Sequence, residues 1–397
     1  MTARRRAPRG APGSRAELAW RDPAQVASLW KQAASTDPRL LHHTVRGDWW
    51  ETLSRLGIVL IVSREYEHLL FAIAAPPEGP SITYWPLPHP SGIALDVKRN
   101  ILYVASTRSP NQLYEFAPAA GLIARRDRHI RPIDGRPLLP ARARFLPGCL
   151  YLHDLAMIGT ILHGCSVGQN AIVRLRDAEP VRPVWWPRCV EVRRRPELRR
   201  NHIQLNSIAA GRNLRASYFT ASSDRISTRR PGHPNYPVDR RGVLFSGATR
   251  EPVAFGLTRP HSARFHAGQV WLDDSGYGDV GFVEEGRFQA VARMPGWTRG
   301  LAFHGEVAFV GTSRVLPRFR RYAPGLERSS SVCGVHAVDT RSGRILGSLL
   351  WPGGNQIFAV EPVSRRFTTG FPFRVGRAAS ATKIRDLFYA FSWETDR

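Results

Sequence analysis

The sequence predicts an all-β protein, a six-bladed β-propeller with a short N-terminal helical segment. Three observations support this prediction. The 397 residues include 34 glycines and 31 prolines, too many turn-forming residues for a helical bundle of this size. From residue 58 onwards, short apolar runs alternate with clusters of glycine, proline, asparagine and aspartate, which is typical of many antiparallel strands. One strand–turn–strand pattern also recurs six times along the chain.

The N-terminal part differs from the rest of the chain in composition and in its predicted secondary structure. Residues 1–15 are basic and rich in proline and glycine, and no apolar segment follows them, so we expect a disordered leader. Residues 16–57 are predicted as a helical segment. Pro23 marks one helix start, and a second short helix is expected between Asp48, a good N-cap, and Gly57. Residues 58–397 are assigned to the propeller.

The six repeats share a simple pattern. A polar residue opens each unit, usually followed by a small one, then a short apolar strand, a tight turn and a second, more apolar strand. The opening residues are Ser91, His153, Asn206, His261, Arg299 and Gln356. They lie 38 to 62 residues apart, which accommodates a four-stranded blade of about 40 to 50 residues plus loop insertions. A pair of β-sandwiches with accidental internal similarity is the alternative.

Ring closure follows from the sixth repeat, which stops before its second strand. We expect an N-terminal strand, 58–63 or 69–73, to pair into this last blade. The innermost strands must also carry small side chains because six of them converge on the channel. The small residues after the opening positions meet this requirement.

The opening residues are the first candidate site, because equivalent positions in a propeller surround one mouth of its channel. His153 and His261 could hold a divalent metal, with Asn206, Gln356 or water completing the shell. Arg299 could bind a carboxylate or phosphate through two hydrogen bonds. Simple polar capping of the innermost strands is the alternative for all of them.

Polar loops after the second strands should surround the same mouth. Their candidate binding residues are Arg108, Asn111, Gln169, Asn170, Asp274 and Arg314. Ordinary solvated turns are the alternative interpretation of these loops. The titratable run at residues 63–68 is either a catalytic loop or an exposed hairpin with a charged tip.

Two short segments match the sequences of catalytic motifs but not the secondary structure that those motifs require. Residues 164–168 fit G-x-S-x-G, but a strand rather than a helix is expected to follow. Residues 276–281 fit G-x-G-x-x-G, again without the helix that would face a phosphate. We therefore assign neither a nucleophile nor a nucleotide site.

The composition excludes several classes of protein. With 43% hydrophobic and 10% aromatic residues, the chain can form a sizeable core, which excludes wholesale disorder. It has no run of eighteen apolar residues, so no membrane-spanning helix is expected. The four cysteines form no CxxC pair, which argues against a zinc ribbon. No secretory signal is recognised, so we expect a cytoplasmic protein with reduced thiols.

The net charge of +25 is compatible with three explanations. The chain has only three lysines, so 54 of its 57 basic residues are arginines, and these are scattered along the sequence. The favoured explanation is compositional, with solvated arginine replacing lysine. A polyanion-binding surface and an acidic small ligand are the alternatives.

Several longer phrases carry a family resemblance. They include Arg46-Gly-Asp-Trp-Trp, Val62-Ser-Arg-Glu-Tyr-Glu-His-Leu, Leu152-His-Asp-Leu-Ala and Thr298-Arg-Gly-Leu-Ala-Phe. Over residues 40–373 the chain resembles an uncharacterised bacterial family of conserved hypothetical propeller proteins, some members of which stand beside tetratricopeptide repeats. The resemblance implies no particular activity or catalytic residue.

Three functions are therefore expected from the sequence. The first is a propeller that binds a small anionic or peptidic ligand at the channel mouth. The second is a metal-assisted lyase or hydrolase that uses His153 and His261. The third is a scaffold for a protein partner or a polyanion, although nucleic acid is not the expected partner.

Overall fold

The computed structural model describes most of the chain. The described residues are 23–108, 111–122, 135–146, 148–177, 179–227, 229, 231, 233, 235–376 and 391–393. The predicted leader at 1–15 and the first residues of the predicted helical segment lie outside them.

Two helices precede the first blade strands. Helix α1 (Pro23–Ala34) begins at the predicted proline. Helix α2 (Trp49–Leu56) begins after Asp48 and ends at Gly57, whose φ of 66° places it in the left-handed region that glycine adopts easily. A strand that the sequence does not predict, β1 (Thr44–Gly47), lies between the two helices.

Apart from one small hairpin, the remaining described strands form six antiparallel sheets, which are the predicted blades of the propeller. The strands directly after α2 are β2 (Ile58–Arg64), β3 (Leu69–Ala74) and β4 (Ser81–Pro86). Blade I contains β5 (Pro90–Asp96), β6 (Ile101–Ser106), β7 (Asn111–Leu122) and β8 (Leu138–Leu146). Blade II contains β9 (Leu152–Ile158), β10 (Ile161–Ser166), β11 (Ala171–Arg174) and β12 (Arg182–Trp185).

A small hairpin, β13 (Glu191–Val192) and β14 (Arg195–Pro196), separates blades II and III. Blade III contains β15 (Leu205–Ala209), β16 (Tyr218–Ala221), β17 (Gly242–Ser246) and β18 (Pro252–Leu257). Blade IV contains β19 (Pro260–His266), β20 (Gln269–Asp274), β21 (Asp279–Glu284) and β22 (Arg287–Arg293). Blade V contains β23 (Trp297–His304), β24 (Val307–Ser313), β25 (Gly334–Asp339) and β26 (Ile345–Leu350). The last strands are β27 (Ala359–Ser364), β28 (Phe373–Arg374) and β29 (Phe391–Trp393).

Blade VI closes the ring and is built from both halves of the chain. Its strand order is β27-β2-β3-β4-β28, so β27 supplies the innermost strand and the N-terminal strands supply most of the rest. β27 pairs with β2 from Ile58–Ser364 to Ser63–Ala359. The predicted closure by residues 58–63 is confirmed. β1 adds an outer strand to blade V beside β26, and β29 pairs with β7 of blade I.

Apolar side chains fill the seams between neighbouring blades. The seam between blades V and VI is the largest, and α2 packs into it through Trp49 and Leu53, both with no exposed surface. The Trp49 ring meets Phe309 edge-on at 6.1 Å. Every residue of β2 is buried because a blade covers each face of this strand, which explains its continuous apolar sequence. Burial of each large apolar side chain contributes roughly 1.5 to 3 kcal/mol.

Short polar side chains also join each blade to the next near the channel. Each forms a hydrogen bond with the backbone of the neighbouring blade. The six bonds are Ser91 Oγ to Leu152 O, Ile208 N to Asp154 Oδ2, Ala263 N to Ser207 Oγ, Gly300 N to Ser262 Oγ, Ile357 N to Ser313 Oγ and Ser63 Oγ to Ser91 O, with lengths of 2.7 to 3.1 Å. These bonds satisfy backbone groups that the sheet ladders leave unpaired.

The second strand of the third repeat is preceded by a short turn. Leu214–Ala216 forms a 3-10 turn, and β16 begins only at Tyr218. The side chain of Asn213 accepts a hydrogen bond from Ala216 N at 3.0 Å, so this residue caps the turn and delays the strand.

Among the described residues, no helix combines the length and apolar character needed to cross a membrane.

Close approach of the innermost strands makes Gly92 sensitive to substitution. A Cβ at Gly92 would lie 2.6 Å from Asp154 Cα, which is backbone and cannot move aside. We expect Gly92→Ala to reduce the free energy of unfolding by about 2 to 3 kcal/mol, measured by urea unfolding.

The matched control is Gly268→Ala in the exposed turn between β19 and β20 of blade IV. Gly268 has a φ of 79°, and a methyl group at this position would have no atom within 4 Å, so only backbone strain of about 1 kcal/mol is expected. Equal losses in the two variants would contradict the tight seam between blades I and II.

Candidate functional site

The innermost strands begin with β-bulges or similar irregularities. In blades I to V, the pairing of the innermost strand with the second strand changes register near the start of the innermost strand. In β9 the irregularity lies opposite Cys165 and Ser166. In the other four blades it lies between Pro90 and Ile93, Leu205 and Ser207, His261 and Arg264, and Thr298 and Leu301. A bulge redirects the side chain at the shift away from the regular alternation of a strand. Ser91, His153, Asn206 and Arg299 are left out of the strand pairing at these shifts, whereas His261 pairs with Asp273 at the edge of its shift. Several of these opening residues line the channel.

A cavity of about 400 Å³ lies at one mouth of the channel. Among the described residues, five arginines and one glutamate line it: Arg108, Arg259, Arg299, Arg314, Arg318 and Glu65. Its aromatic wall consists of Tyr66, Tyr151, Trp297, Phe319, Tyr322 and Phe358. The cavity is thus strongly cationic and largely aromatic.

Many of the residues predicted from the sequence meet here. Those lining the cavity are His153, His261, Arg299, Gln356, Arg108 and Arg314. Asn206 lies in the narrow throat directly below, where it lines the wall together with His153, His261 and Arg299.

The other predicted residues do not line the cavity. Ser91 is fully buried in the seam between blades I and II. The side chains of Asn111 and Asn170 form hydrogen bonds with the backbone of neighbouring loops. Asn111 donates to Gly148 O at 2.6 Å, and Asn170 donates to Arg200 O at 2.7 Å. Gln169 lies in a 3-10 turn, and Asp274 accepts a hydrogen bond from Thr258 N at 2.5 Å.

Arg299 contacts His153 and an aromatic ring. Its Nη2 donates to His153 Nδ1 at 3.3 Å, and its Cζ lies 3.3 Å from the centre of the Phe358 ring. Burial lowers the pKa of Arg299 to about 10, although the negative charge of Glu65 acts in the opposite direction. The guanidinium therefore remains charged at neutral pH.

Both histidines are kept neutral by their surroundings. Burial, and then the positive charge of Arg299, holds the pKa of His153 well below its usual range. Burial and Arg299 likewise hold the pKa of His261 well below its usual range, with His153 and Arg259 adding to the effect. His261 Nδ1 lies 2.7 Å from the carbonyl oxygen of Arg259 and 3.0 Å from Ser275 Oγ.

Arg259 is a second cation at the cavity wall, and it is buried. It donates to Gln204 Oε1 and, at 3.4 Å, to Ser222 Oγ. Its Cζ lies 4.2 Å from the centre of the Tyr322 ring, a favourable cation–π distance. Burial lowers the pKa of Arg259 from its ordinary value.

The titratable run at residues 63–68 is buried and is not an exposed hairpin with a charged tip. Glu65 is 4% exposed; it accepts a hydrogen bond from Thr107 and lies 3.4 Å from Arg108 Nε. Burial raises the pKa of Glu65 despite these contacts. Glu65 and the adjacent Tyr66 both line the cavity, so this turn contributes to the site.

One repeat position at the rim was missed in the sequence. It lies two residues before the opening residue, and in four successive blades it holds a non-glycine residue with positive φ: His89 (44°), Tyr151 (48°), Gln204 (49°) and Arg259 (54°). The last three line the cavity, as does Trp297 at the same position of blade V. A large side chain two residues before five of the six opening residues was the signal that could have identified them; the sixth repeat has Gly354 there.

The loop between β24 and β25 supplies the other residues that were missed. It contains a 3-10 turn at Pro317–Tyr322, and it contributes Arg318, Phe319 and Tyr322 to the cavity. Arg318 lies over the rings of both Tyr66 and Phe319, at 5.0 and 4.7 Å. The corresponding loops of the other blades differ from it in length and sequence, so periodicity does not predict these contacts.

An ionic cluster fills the channel below the cavity. Arg264 forms two hydrogen bonds with Asp154, at 2.8 and 3.0 Å. Burial raises the pKa of Glu361 to about 7, with Arg264 opposing the shift and Asp154 adding to it. Burial also raises the pKa of Asp273 well above its usual range.

The residues described here do not form a metal site of the usual kind. No group of three or more histidine, cysteine, aspartate or glutamate side chains in this part of the chain could hold a metal ion. The cationic lining instead suits an anion, and a neutral histidine beside it can accept a hydrogen bond or a proton.

The raised pKa of Glu361 predicts that the free energy of unfolding depends on pH. Because its folded pKa lies near 7 and its ordinary value is 4.5, the folded state holds the extra proton between these pH values. The free energy of unfolding should therefore fall by about 3 kcal/mol as pH rises from 4.5 through 7. Glu361→Gln should remove this fall, which urea unfolding at several pH values would measure.

The control is Glu78→Gln at an exposed position, whose stability curve should run parallel to that of the wild type. A parallel curve for Glu361→Gln as well would contradict burial of this carboxyl in the channel.

Solved structures with a similar fold were found at low sequence identity. A chain of the nidogen–laminin complex matches with a TM-score of 0.51 and 11% identity, covering 77% of this chain and 98% of that one. A gluconolactonase from Xanthomonas campestris matches with a TM-score of 0.41 and 14% identity, covering 67% and 77%. Virginiamycin B lyase from Staphylococcus aureus gives 0.34 and 13%, covering 74% and 80%. These similarities concern the fold alone.

No curated protein matches the sequence. A family model described as "Domain of unknown function (DUF4915)" matches residues 47–368, which include most of the strands of all six blades. The chain therefore belongs to the DUF4915 family.

Proposed function

We propose that the protein binds a small organic anion in the cavity at the channel mouth. The observation that carries this proposal is the state of Arg299 and Arg259. Arg259 is buried and Arg299 is half-buried at the cavity wall, and neither forms an ion pair with a carboxylate of the described residues. A buried charge without a counterion is costly. A carboxylate or phosphate in the cavity would supply the missing partner.

The charge balance of the whole lining supports the same conclusion. Five described arginines face a single glutamate, and that glutamate already contacts Thr107 and Arg108. The two channel histidines add no positive charge, because burial and Arg299 keep their pKa values low. The remaining guanidinium groups create a positive field that favours an anion.

The aromatic lining indicates that the ligand also has an apolar body. Trp297, Tyr322 and Phe358 line the cavity beside Arg259 and Arg299. A volume of about 400 Å³ lies within the range of small-molecule sites, which combine apolar walls with a few placed polar groups. A small carboxylic acid, or the C-terminus of a short peptide, has this combination of properties.

A divalent metal held by His153 and His261 has less support. Arg299 donates to His153 Nδ1 at 3.3 Å, so this nitrogen is engaged by a cation rather than open to a metal. A second positive charge beside Arg299 and Arg259 would be repelled. The metal-assisted lyase or hydrolase is therefore the weaker hypothesis, and the scaffold for a polyanion is distinguished by the experiment below.

The test uses 3-phenylpropionate as an anionic probe and 3-phenylpropanamide as its neutral counterpart, with binding measured by isothermal titration calorimetry. We expect the anion to bind and the amide to bind at least about tenfold more weakly, because only the carboxylate pairs with the guanidinium groups. Arg299→Gln and Arg259→Gln should each weaken binding of the anion at least about tenfold.

The control variant is Arg287→Gln on the exposed outer strand of blade IV, which should bind the anion like the wild type. Equal binding of acid and amide, or no binding of either, would contradict the proposal. Salt-dependent binding of single-stranded DNA that Arg299→Gln leaves unchanged would favour a surface polyanion scaffold instead.

A further inference from the structure

We infer that the bound anion carries a hydroxyl group, which donates a hydrogen bond to Nε2 of His261. This inference rests on the proposed function and names the class of its ligand: a hydroxylated organic acid. It follows from the way in which the two channel histidines use their ring nitrogens.

The backbone fixes the tautomer of His261. Its Nδ1 lies 2.7 Å from the carbonyl oxygen of Arg259, and a carbonyl oxygen can only accept a hydrogen bond. Nδ1 therefore carries the hydrogen, and Ser275 Oγ at 3.0 Å can share it. In a neutral imidazole the other nitrogen, Nε2, then has the lone pair and acts as an acceptor.

The surroundings of His261 keep the ring neutral. Arg299 and Arg259 are its charged neighbours, and no carboxylate of the described residues forms an ion pair with it. Burial and these positive charges hold the pKa of His261 well below its usual range. Within the described part of the chain, no donor is hydrogen-bonded to Nε2, although the ring lines both the cavity and the throat. The unused acceptor is therefore available to a ligand.

His153 differs from His261 in this respect. Its Nδ1 accepts from Arg299 Nη2, and the rest of its ring packs against Phe358 edge-on at 5.4 Å. A contact with the Asn206 side chain also acts on its protonation. His153 is therefore a positioning residue that holds the Arg299 guanidinium, and His261 is the histidine with an open acceptor.

The positive cavity selects the kind of donor. A ligand could present either a hydroxyl or an ammonium group to Nε2. An ammonium group would lie beside Arg299 and Arg259, whose charges would repel it. A hydroxyl group donates without adding charge, so the site favours a hydroxy acid over an amino acid.

Three compounds with one carbon skeleton test this inference: 3-phenyllactate, 3-phenylpropionate and phenylalanine. They differ only in whether the α-carbon bears a hydroxyl, a hydrogen or an ammonium group. We expect 3-phenyllactate to bind at least about tenfold more tightly than 3-phenylpropionate, measured by isothermal titration calorimetry. Phenylalanine should bind most weakly of the three.

Two variants assign the preference to His261. His261→Phe keeps an aromatic ring but removes the acceptor, so the ratio of the affinities for 3-phenyllactate and 3-phenylpropionate should fall to about one. His153→Phe is the matched control. It should weaken binding of both acids by the same factor, because it releases Arg299 but leaves Nε2 of His261 in place.

The outcomes separate this inference from the proposed function. Equal affinity of the wild type for the two acids overturns the hydroxyl preference and leaves anion binding intact. A preference that survives in His261→Phe overturns the role of His261, and tightest binding of phenylalanine overturns the choice of donor. Failure of all three to bind overturns the inference together with the anion site on which it rests.

Discussion

The architecture depends on hydrogen bonds that join the six blades near the channel. At every seam a short polar side chain, such as Asp154, Ser207 or Ser262, bonds the backbone of the next blade. A larger side chain would not fit, because the innermost strands approach each other closely there, as the contact between Gly92 and the Asp154 backbone illustrates. In blades II, III and IV the residue immediately before the bonding side chain, which is His153, Asn206 or His261, is thereby placed in the channel.

The repeat pattern predicted the blades, their closure and much of the channel lining, because equivalent sequence positions occupy equivalent places in a ring. His153, His261 and Arg299 were found in this way. Ser91 has the same repeat position, but its hydroxyl is used in the seam, and polarity alone does not reveal this difference. The rim residues were missed because residues such as Gln204 and Arg259 adopt a left-handed backbone without being glycines. Glycine is the residue that usually indicates this conformation in a sequence. The insertion after β24 breaks the period, so its arginine and aromatic side chains could not be placed by repetition.

The overall charge and the charge of the site have different physical meanings. Most of the arginines behind the net charge of +25 say little about function, because a solvated guanidinium is inexpensive. Arg299 and Arg259 differ because they are desolvated, lie against aromatic rings and have no carboxylate partner in the described structure. Desolvation strengthens their interaction with any anion that reaches them. The ionic cluster of Asp154, Arg264 and Glu361 fills the channel below, so the deep part of the ring is occupied by the protein's own charges.

The rim residues with positive φ share a backbone conformation but differ in the chemistry of their side chains. Their backbone shape is imposed by the turn that leads into each innermost strand, at a cost of roughly 1 kcal/mol or more per residue. Tyr151 and Gln204 share this backbone shape and both line the cavity, although their functional groups are unrelated. Proteins built on this ring can therefore acquire new ligand preferences by exchanging rim residues one blade at a time, without rebuilding a strand.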